Sequence, residues 1–168
     1  FWGDAERYLA TYWSRFDGVW VHGDWASIDD DGFWYLHGRS DDTMNIAGKR
    51  IGPAEIESAA IALPEVVMAA AIGIPDDIKG EAIAVNVVPA ANATVAPDDL
   101  AGMVSDSVTE ILGKSFRPKH VVVASDLPRT RSAKLVRRAV KARALGEDPG
   151  DLSSIENPDS LDQISTLS

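Results

Sequence analysis

The sequence of 168 residues contains no cysteine. This absence excludes disulfide bridges, a thiol nucleophile and cysteine ligands for a metal ion. Because disulfides mark oxidising compartments, a chain without cysteine is more typical of the cell interior. We therefore expect a cytoplasmic location.

Positive charge and long apolar runs are also scarce. Lysine and arginine number 16 against 26 aspartates and glutamates, which gives a formal net charge of −10. Nucleic-acid binding needs a basic surface, so this balance argues against a nucleic-acid partner. The longest weakly polar run, residues 66–74, is far shorter than the ~20 residues that span a bilayer, so no membrane partner is expected.

Common catalytic and metal-binding motifs are missing as well. The sequence has no Walker-type phosphate loop, no GxGxxG and no GxSxG. The three histidines, at positions 22, 37 and 120, have no ligand spacing to one another. The first residue is phenylalanine rather than methionine, and we expect the chain to be a fragment of a longer protein.

What is present is the composition of a soluble globular domain, with 45% apolar and 25% charged residues. Apolar periodicity and turn residues predict strands at 19–25, 33–37, 66–74, 82–88 and 120–124, and helices at 53–63, 97–112 and 134–144. The polar break at 38–42 is a candidate domain boundary. We predict an α+β fold, with a β-rich remnant of a larger domain at 1–39, a short sheet flanked by helices at 40–145, and an irregular tail at 146–168 with little core of its own.

Charged residues near the predicted boundary could bind a sugar or a phosphate. Asp24 follows Gly23 at a predicted strand end, and its two carboxylate oxygens match a vicinal diol. Arg39 offers a rigid fork of donors for ribose or phosphate oxygens, and Asp41 and Asp42 could form a hinge. The alternatives are a turn aspartate that caps backbone amides and a solvated turn.

Residues 48–53 read Gly-Lys-Arg-Ile-Gly-Pro. Glycine allows the backbone to approach a ligand closely, and the two cations suit an anionic ligand. The alternative is an ordinary hairpin with surface charges.

The most informative segment is 126–138. Seven of the sixteen basic residues fall between Arg129 and Arg143, in a chain that is acidic elsewhere. Lys134 ends a loop rich in threonine, serine and arginine and begins a predicted helix, so the loop can deliver it to a developing negative charge. The alternatives are a solvated helix face at 137–141 and a nucleic-acid surface, which the lack of interleaved aromatic residues argues against.

Four motifs thus follow one another along the chain: Gly23-Asp24, residues 38–42, residues 48–51 and residues 128–134. In their order and spacing, they resemble the closing motifs of the AMP-forming adenylating enzymes. That superfamily includes acyl-CoA synthetases, luciferases and the adenylation domains of peptide synthetases. Within it, the sequence looks most like acetyl-CoA synthetase and its short-chain relatives. The resemblance extends over residues 12–154 and is closest at 12–26, 38–42, 52–58 and 127–132.

This resemblance implies a large N-terminal domain, of which the residues before Gly38 are the end, and a small mobile C-terminal domain. It implies that Asp24 holds the ribose hydroxyls of ATP and that Arg39 contacts the nucleotide. Asp41 would lie at the hinge. Lys134 would be the adenylation lysine, which reaches the substrate carboxylate and the phosphate.

For thioester formation, the resemblance implies a rotation that withdraws Lys134 and presents the loop of Ala47 and Gly48 to the CoA thiol. Arg50 would be a ligand contact beside that loop. A magnesium ion held by backbone carbonyls is implied after the first helix of the small domain, near Ile61, Leu63 and Val66.

The expected function is therefore the ligation of a short-chain carboxylate, acetate first, to CoA, with ATP and Mg²⁺, by the full-length enzyme. The chain alone is expected to be inactive. The alternatives are another adenylate-forming enzyme with a different acyl acceptor, and a non-catalytic module that binds a partner or is an acetylation target. Because the adenylation lysine of this family is acetylated, a protein lysine acetyltransferase and a deacetylase are expected partners.

Two positions depart from the family pattern. Ala133 stands where the family commonly has glycine, and alanine tolerates a positive φ less well. Residues 107–110 contain no cation, although bacterial acetyl-CoA synthetases contact CoA there. The CoA contact is then expected from Lys114, Arg117 or Lys119.

Overall fold

A computed structural model describes residues 2–167. The chain divides into two compact units, Phe1–Asp42 and Thr43–Ser168. The boundary predicted from the polar break lies three residues earlier, between residues 39 and 40. We call these parts the first unit and the second unit and describe each by itself.

The first unit holds a helix and a two-stranded antiparallel hairpin: α1 (Ala5–Tyr12), β1 (Asp24–Ile28) and β2 (Trp34–Arg39). The strand predicted at 19–25 is wrong for most of its length, because pairing with β2 begins only at Asp24. Helix α1 was missed, although its N-cap was visible in the sequence: the Asp4 side chain accepts a hydrogen bond from the amide of Arg7. None of the described residues of this unit is buried.

The second unit carries a five-stranded sheet and three α-helices: β3 (Met44–Ile46), β4 (Lys49–Ile51), α2 (Pro53–Ile61), β5 (Val66–Asp76), β6 (Gly80–Pro89), α3 (Pro97–Leu112), β7 (His120–Val123) and α4 (Arg137–Ala144). Short 3-10 helices lie at Lys114–Phe116 and Pro158–Gln163. Strand β6 is central, paired with β5 on one edge and with β3 and β7 on the other, and only the β6–β7 pair is parallel. This confirms the predicted mixed fold of a short sheet with flanking helices.

Both faces of the sheet are buried, which explains why β5 and β6 are nearly continuous apolar runs rather than alternating ones. On one face, Val85 packs in a core with Leu100 of α3 and with residues of α2. On the other face, Ala84 packs with Val140 of α4. The predicted turn at 75–81 is shorter than expected, since β5 and β6 extend to Asp76 and from Gly80.

Two expectations for the C-terminal third need correction. Helix α4 begins at Arg137 rather than at Lys134, because residues 129–135 form a hairpin instead. The tail, residues 146–168, is mostly irregular, but the expectation of little core is wrong. Its three side chains Ile155, Leu161 and Ile164 are buried against α4.

No helix among the described residues is both long enough and apolar enough to cross a membrane.

Candidate active site

Lys134 lies on a short hairpin, residues 129–135, which we call the Lys134 hairpin. Arg129 and Leu135 form an antiparallel bridge at its base. Nearer the tip, the amide of Thr130 donates to the carbonyl of Lys134 at 2.9 Å, and the amide of Ala133 donates to the carbonyl of Thr130 at 2.8 Å. The hydrogen bonds therefore enclose a three-residue loop with Lys134 directly after it.

Ala133 occupies the left-handed position of this loop, with φ of 62°. A three-residue hairpin loop commonly consists of a type I turn followed by a residue in that conformation, which is why glycine is favoured there. For alanine the left-handed conformation costs roughly 1–2 kcal/mol. The hairpin thus forms with alanine at position 133, although the left-handed backbone there is strained.

The Lys134 ammonium is exposed and has no ion pair or hydrogen bond with any residue that the structure describes. Several of the basic residues around it are engaged. Arg129 pairs with Asp126, and Arg138 donates to the carbonyls of Pro149 and Asp151. The cluster is therefore not a uniform basic surface. Within the described residues, Lys134 and Arg131 are the cations of the hairpin without such a partner, and both are available to an anionic ligand.

Arg137 lies in a buried ion pair rather than on the solvated helix face considered above. Its Nε and one terminal nitrogen donate to the two carboxylate oxygens of Glu57 on α2, at 2.7 and 2.6 Å. Glu57 also accepts the amide of Ala71 on β5 at 3.0 Å. The first turn of α4, three residues after Lys134, is thereby fixed to α2 and to the sheet.

Ala47 and Gly48 form the two-residue turn between β3 and β4. Both have positive φ, 51° and 82°, as a type I′ turn requires. The turn is held against β6, because the amide of Ala47 donates to the carbonyl of Lys79 at 3.0 Å. Glu81 adds a second link, since its carboxylate accepts the amide of Asn45 at 2.7 Å.

Arg50 lies exposed on β4, opposite Asn45. Of the cations named for a CoA contact, Arg117 is paired with Asp106 at 2.9 Å and Lys119 with Asp76 at 3.0 Å. Lys114 has no such partner within the described residues. Lys114 is therefore the cation of this set that remains available.

In the first unit, Asp24 and Arg39 face each other across the hairpin, because they are paired in the β1–β2 register. Arg39 makes two hydrogen bonds to Asp41, at 2.9 and 3.1 Å, and one to the carbonyl of His22 at 3.1 Å. These contacts with Asp41 raise the pKa of Arg39 above its usual range. Asp24 contacts the His22 ring and lies 3.9 Å from Arg39.

His22, Arg39 and Asp41 line a cavity of about 200 Å³ in the first unit, together with the end of α1, and Asp24 is not among the lining residues. Gly23 is at its wall, where a Cβ atom would lie 3.0 Å from the Arg39 guanidinium. The volume is below the ~300–1,000 Å³ of sites for drug-sized ligands. A carboxylate and a guanidinium at one cavity can bind hydroxyls and phosphate oxygens.

No group of three or more histidine, aspartate or glutamate side chains in the described residues could hold a metal ion. The backbone carbonyls expected to bind magnesium belong to the turn between α2 and β5, where Leu63 accepts the amide of Val66 at 3.0 Å. Glu65, within this turn, has a buried carboxylate oxygen without a hydrogen-bond partner in the described chain. Glu65 lines a cavity with Pro64 and residues 92–95 rather than with Ile61, Leu63 or Val66, so the magnesium site at these three carbonyls stays a prediction.

Sequence reasoning missed the residues that hold the hairpin in place, namely Glu57, Asp126 and Asn157. The available signal for Glu57 was a charged side chain within the compact helix α2, which has Ile56 and Ala60 on its buried side. The contact between Asp126 and Asn157 offered no local signal, because it joins residues 31 apart along the chain, whereas the pairing of Asp126 with Arg129 is local.

Residues 55–134 match the sequence model of the AMP-binding enzyme C-terminal domain. Acetyl-coenzyme A synthetase of Methanothrix thermoacetophila is 40% identical over 168 residues, which cover 98% of this chain and 25% of that protein. Propionate–CoA ligase of Salmonella typhimurium is also 40% identical, with 97% and 27% covered. The chain thus spans about a quarter of the length of these relatives.

Solved structures agree with the sequence relatives. Acetoacetyl-CoA synthetase from Streptomyces lividans superposes with a TM-score of 0.80 at 31% identity, covering 95% of this chain and 24% of that one. ATP-bound MatB from Rhodopseudomonas palustris superposes with a TM-score of 0.68 at 30% identity, covering 83% and 27%. Residues 55–134 belong to the AMP-binding enzyme C-terminal domain family, and the chain is similar to the C-terminal quarter of AMP-forming acyl-CoA synthetases, acetyl-CoA synthetase among them.

Proposed function

We propose that the whole protein is an ATP-dependent ligase that joins a short-chain carboxylate, acetate first, to CoA through an acyl-adenylate. The proposal rests on Lys134, an exposed lysine on a braced hairpin that has no partner in the described residues, whereas Arg129 and Arg137 are paired. The 40% identity to acetyl-CoA synthetases and to a propionate–CoA ligase supports the substrate class.

Adenylation brings a carboxylate against the α-phosphate of ATP, so two anions must approach each other. A lysine ammonium between them lowers this repulsion in the transition state. Lys134 suits the role because its charge is not already neutralised within the described chain. Magnesium would supply charge neutralisation on the phosphates when it is bound.

The first unit supplies the nucleotide contacts in this proposal. Asp24 accepts hydrogen bonds from the ribose hydroxyls, and Arg39 donates to ribose or phosphate oxygens. In the described structure Arg39 is held by Asp41, the proposed hinge residue. A hinge movement at Asp41 would therefore also change the donors that Arg39 presents.

The second unit supplies the contacts for thioester formation. The turn of Ala47 and Gly48 presents backbone to the thiol end of CoA, and Arg50 lies beside it. Lys114 is the proposed contact for a CoA phosphate. A hinge that withdraws Lys134 while presenting this turn would separate the two steps, and the Ile61–Val66 turn is the proposed structural magnesium site.

Transfer to an acceptor other than CoA is the second candidate. It has support from the amide bond synthetase McbA of Marinactinospora thermotolerans, whose structure superposes with a TM-score of 0.67 at 29% identity. CoA is favoured because the relatives at about 40% identity are named as CoA ligases. Supplying acetate and ATP with either CoA or an amine distinguishes the two acceptors.

The test is Lys134→Ala in the full-length protein. Adenylation, measured as acetate-dependent exchange of pyrophosphate into ATP, is expected to fall by at least about 100-fold. Thioester formation from supplied acetyl-AMP and CoA is expected to be retained. Lys141→Ala, a nearby cation 3.9 Å from Glu81, is the matched control and should leave both steps unchanged.

An unchanged exchange rate in the Lys134→Ala protein would contradict the proposal, as would a wild-type protein without acetate-dependent exchange. Acetylation offers a second measurement, because it removes the charge of Lys134. Quantitative acetylation should stop adenylation, which supports the proposed acetyltransferase and deacetylase partners. A cytoplasmic location, where these enzymes and CoA would meet the protein, completes the proposal.

A further inference from the structure

The tail crosses the base of the Lys134 hairpin as a third extended segment. Thr130 forms an antiparallel bridge with Ile155. The amide of Glu156 donates to the carbonyl of Arg129 at 2.9 Å. The 129–130 segment is therefore bordered by Leu135 on one edge and by the tail on the other.

Asn157 ties this arrangement together with one side chain. Its carboxamide oxygen accepts the amide of Arg129 at 3.0 Å. Its nitrogen donates to the carboxylate of Asp126 at 2.8 Å and to the carbonyl of Leu127 at 3.0 Å. These three hydrogen bonds of the Asn157 side chain fix residues 126–129, the segment that leads into the Lys134 hairpin.

Asp126 is the charged member of the network. Burial would raise the pKa of its carboxyl, but the amide of Leu127, the Asn157 side chain and Arg129 together hold that pKa below its usual value. The carboxylate therefore stays ionised at neutral pH. It also pairs with the guanidinium of Arg129.

The tail is itself anchored, so its grip on the hairpin does not depend on Asn157 alone. Ile155 and Leu161 are buried in a small core with Ala139 of α4. Farther along, the amide of Leu167 donates to the carbonyl of Ala144 at 2.8 Å. The tail is therefore packed against α4.

The hairpin needs such support for a physical reason. A two-stranded hairpin is marginally stable by itself, whereas a third segment and an apolar contact make it persist. This hairpin also carries the strained φ of 62° at Ala133. Lys134, directly after that residue, would otherwise sample several positions.

We propose that the tail, through Asn157, positions Lys134 for adenylation. This inference rests on the proposed function. Asn157 is a positioning residue: it acts through Arg129 and Leu127 and does not touch substrate. The tail is then required for the first half-reaction and dispensable for the second, in which Lys134 is withdrawn.

The test is Asn157→Ala in the full-length enzyme, with Asp159→Ala as the matched control, because Asp159 is exposed in the same tail. Pyrophosphate exchange should fall by about 10- to 100-fold, the scale of a catalytic group displaced by about an ångström. Thioester formation from supplied acetyl-AMP should stay within about twofold of wild type, and amide hydrogen exchange at Thr130 and Val136 should be about tenfold faster.

Exchanging Asp126 and Asn157 tests whether adenylation can be rescued. Asn157→Asp alone sets two carboxylates against each other and should lower adenylation, and Asp126→Asn alone removes the charge that pairs with Arg129. The double variant restores one carboxylate and one carboxamide at the 126–157 contact, but the Leu127 carbonyl loses its donor, so the rescue is expected to be partial. Adenylation should recover by about tenfold relative to the worse single variant.

Adenylation at the wild-type rate in Asn157→Ala would overturn the inference. An equal loss in both half-reactions would also overturn it, because that result indicates general destabilisation. If the wild-type enzyme itself shows no acetate-dependent exchange, the proposed function fails and the adenylation role fails with it. Amide exchange at Thr130 and Val136 would still show separately whether the tail orders the hairpin.

Discussion

At the scale of single residues, Ala133 and Ala47 are the two described residues other than glycine with positive φ. Each lies in one of the two loops to which the proposal assigns chemistry. Left-handed backbone in an alanine is unfavourable and persists only where the surroundings impose it. Here paired strands impose it: the bridge below Ala133 and the β3–β4 pairing around Ala47.

Ala133→Gly should stabilise the second unit. Relief of the left-handed strain, about 1–2 kcal/mol, exceeds the added flexibility of the unfolded chain, about 0.5–1 kcal/mol, so a gain of about 0.5–1 kcal/mol is expected. Chemical denaturation followed by circular dichroism measures it. Ala101→Gly inside α3 is the control and should destabilise by about 1 kcal/mol. A loss of stability in Ala133→Gly would show that Ala133 is not strained.

At the scale of elements, the Glu57–Arg137 pair joins α2 to α4. Both side chains are largely shielded, with 9% and 23% exposed. Glu57→Ala leaves a guanidinium without its bidentate partner and should lower the free energy of unfolding by about 3 kcal/mol. Replacing both residues by leucine should cost clearly less, since no unpaired charge then remains.

The matched control for this pair is Asp162→Ala. It removes a contact of 3.8 Å with Arg143 in which both side chains are exposed, and solvent-exposed pairs contribute little. No measurable change in the denaturation midpoint is expected. If Glu57→Ala behaved like Asp162→Ala, the pair would not hold α4 in place.

The turn between β5 and β6 has a pH-dependent contact. The amide of Lys79 and then the Lys119 ammonium, with the amide of Ile78, lower the pKa of Asp76 to about 2. Because the folded pKa lies below the unfolded value of about 3.9, the contribution is present above about pH 4 and is lost as the pH falls toward about 2.

Asp76→Asn should therefore reduce stability at neutral pH and flatten the loss of stability between about pH 4 and pH 2. Acid unfolding followed by circular dichroism measures both effects. Asp77→Asn, at the exposed neighbouring position, should unfold like the wild type. An unchanged acid profile in Asp76→Asn would assign the acid sensitivity to other carboxylates.

At the scale of the whole molecule, the two units differ in their aromatic residues and in their burial. All five tryptophans and all three tyrosines lie in residues 2–35. The second unit holds every buried residue that the structure describes. In the first unit, by contrast, large apolar side chains are exposed, as Trp34 is at 69%. Such a surface is typical of one that another part of a protein covers.

Because no tryptophan lies in the second unit, tryptophan emission should not follow the unfolding of that unit seen by circular dichroism. Phe116→Trp places a reporter against the core of the second unit, and its emission should follow the circular dichroism curve. If the tryptophan emission of the wild-type chain changed together with the circular dichroism signal, the prediction would be contradicted, because the first unit would then unfold cooperatively with the second unit.

Much of the fold could be predicted because its signals are local. Helices α2 and α3 each begin with a proline in the first turn, and β5 and β6 are apolar runs bounded by turn residues. The strand at 19–25 and the start of α4 were wrong for a different reason. Both segments lie beside hairpins, and the partner strand decides where pairing begins.

The candidate site was predictable in its chemistry and not in its geometry. The order of Asp24, Arg39, Gly48 and Lys134 pointed to an adenylating enzyme, and the comparisons confirm the family. The roles of these residues stay predictions. The supports that Glu57 and Asn157 supply were beyond sequence reasoning, because their contacts join residues that are distant along the chain.

The sequence by itself determined the family, the mixed fold and the clustering of basic residues around Lys134. Only the tertiary structure decided which of those cations stays available. Arg137 is neutralised by Glu57, 80 residues away, and the hairpin is braced by Asn157, 28 residues from Arg129. The physical reason is that periodicity and motifs are properties of neighbouring residues, whereas ion pairs and braces depend on which distant segments the packed core brings together.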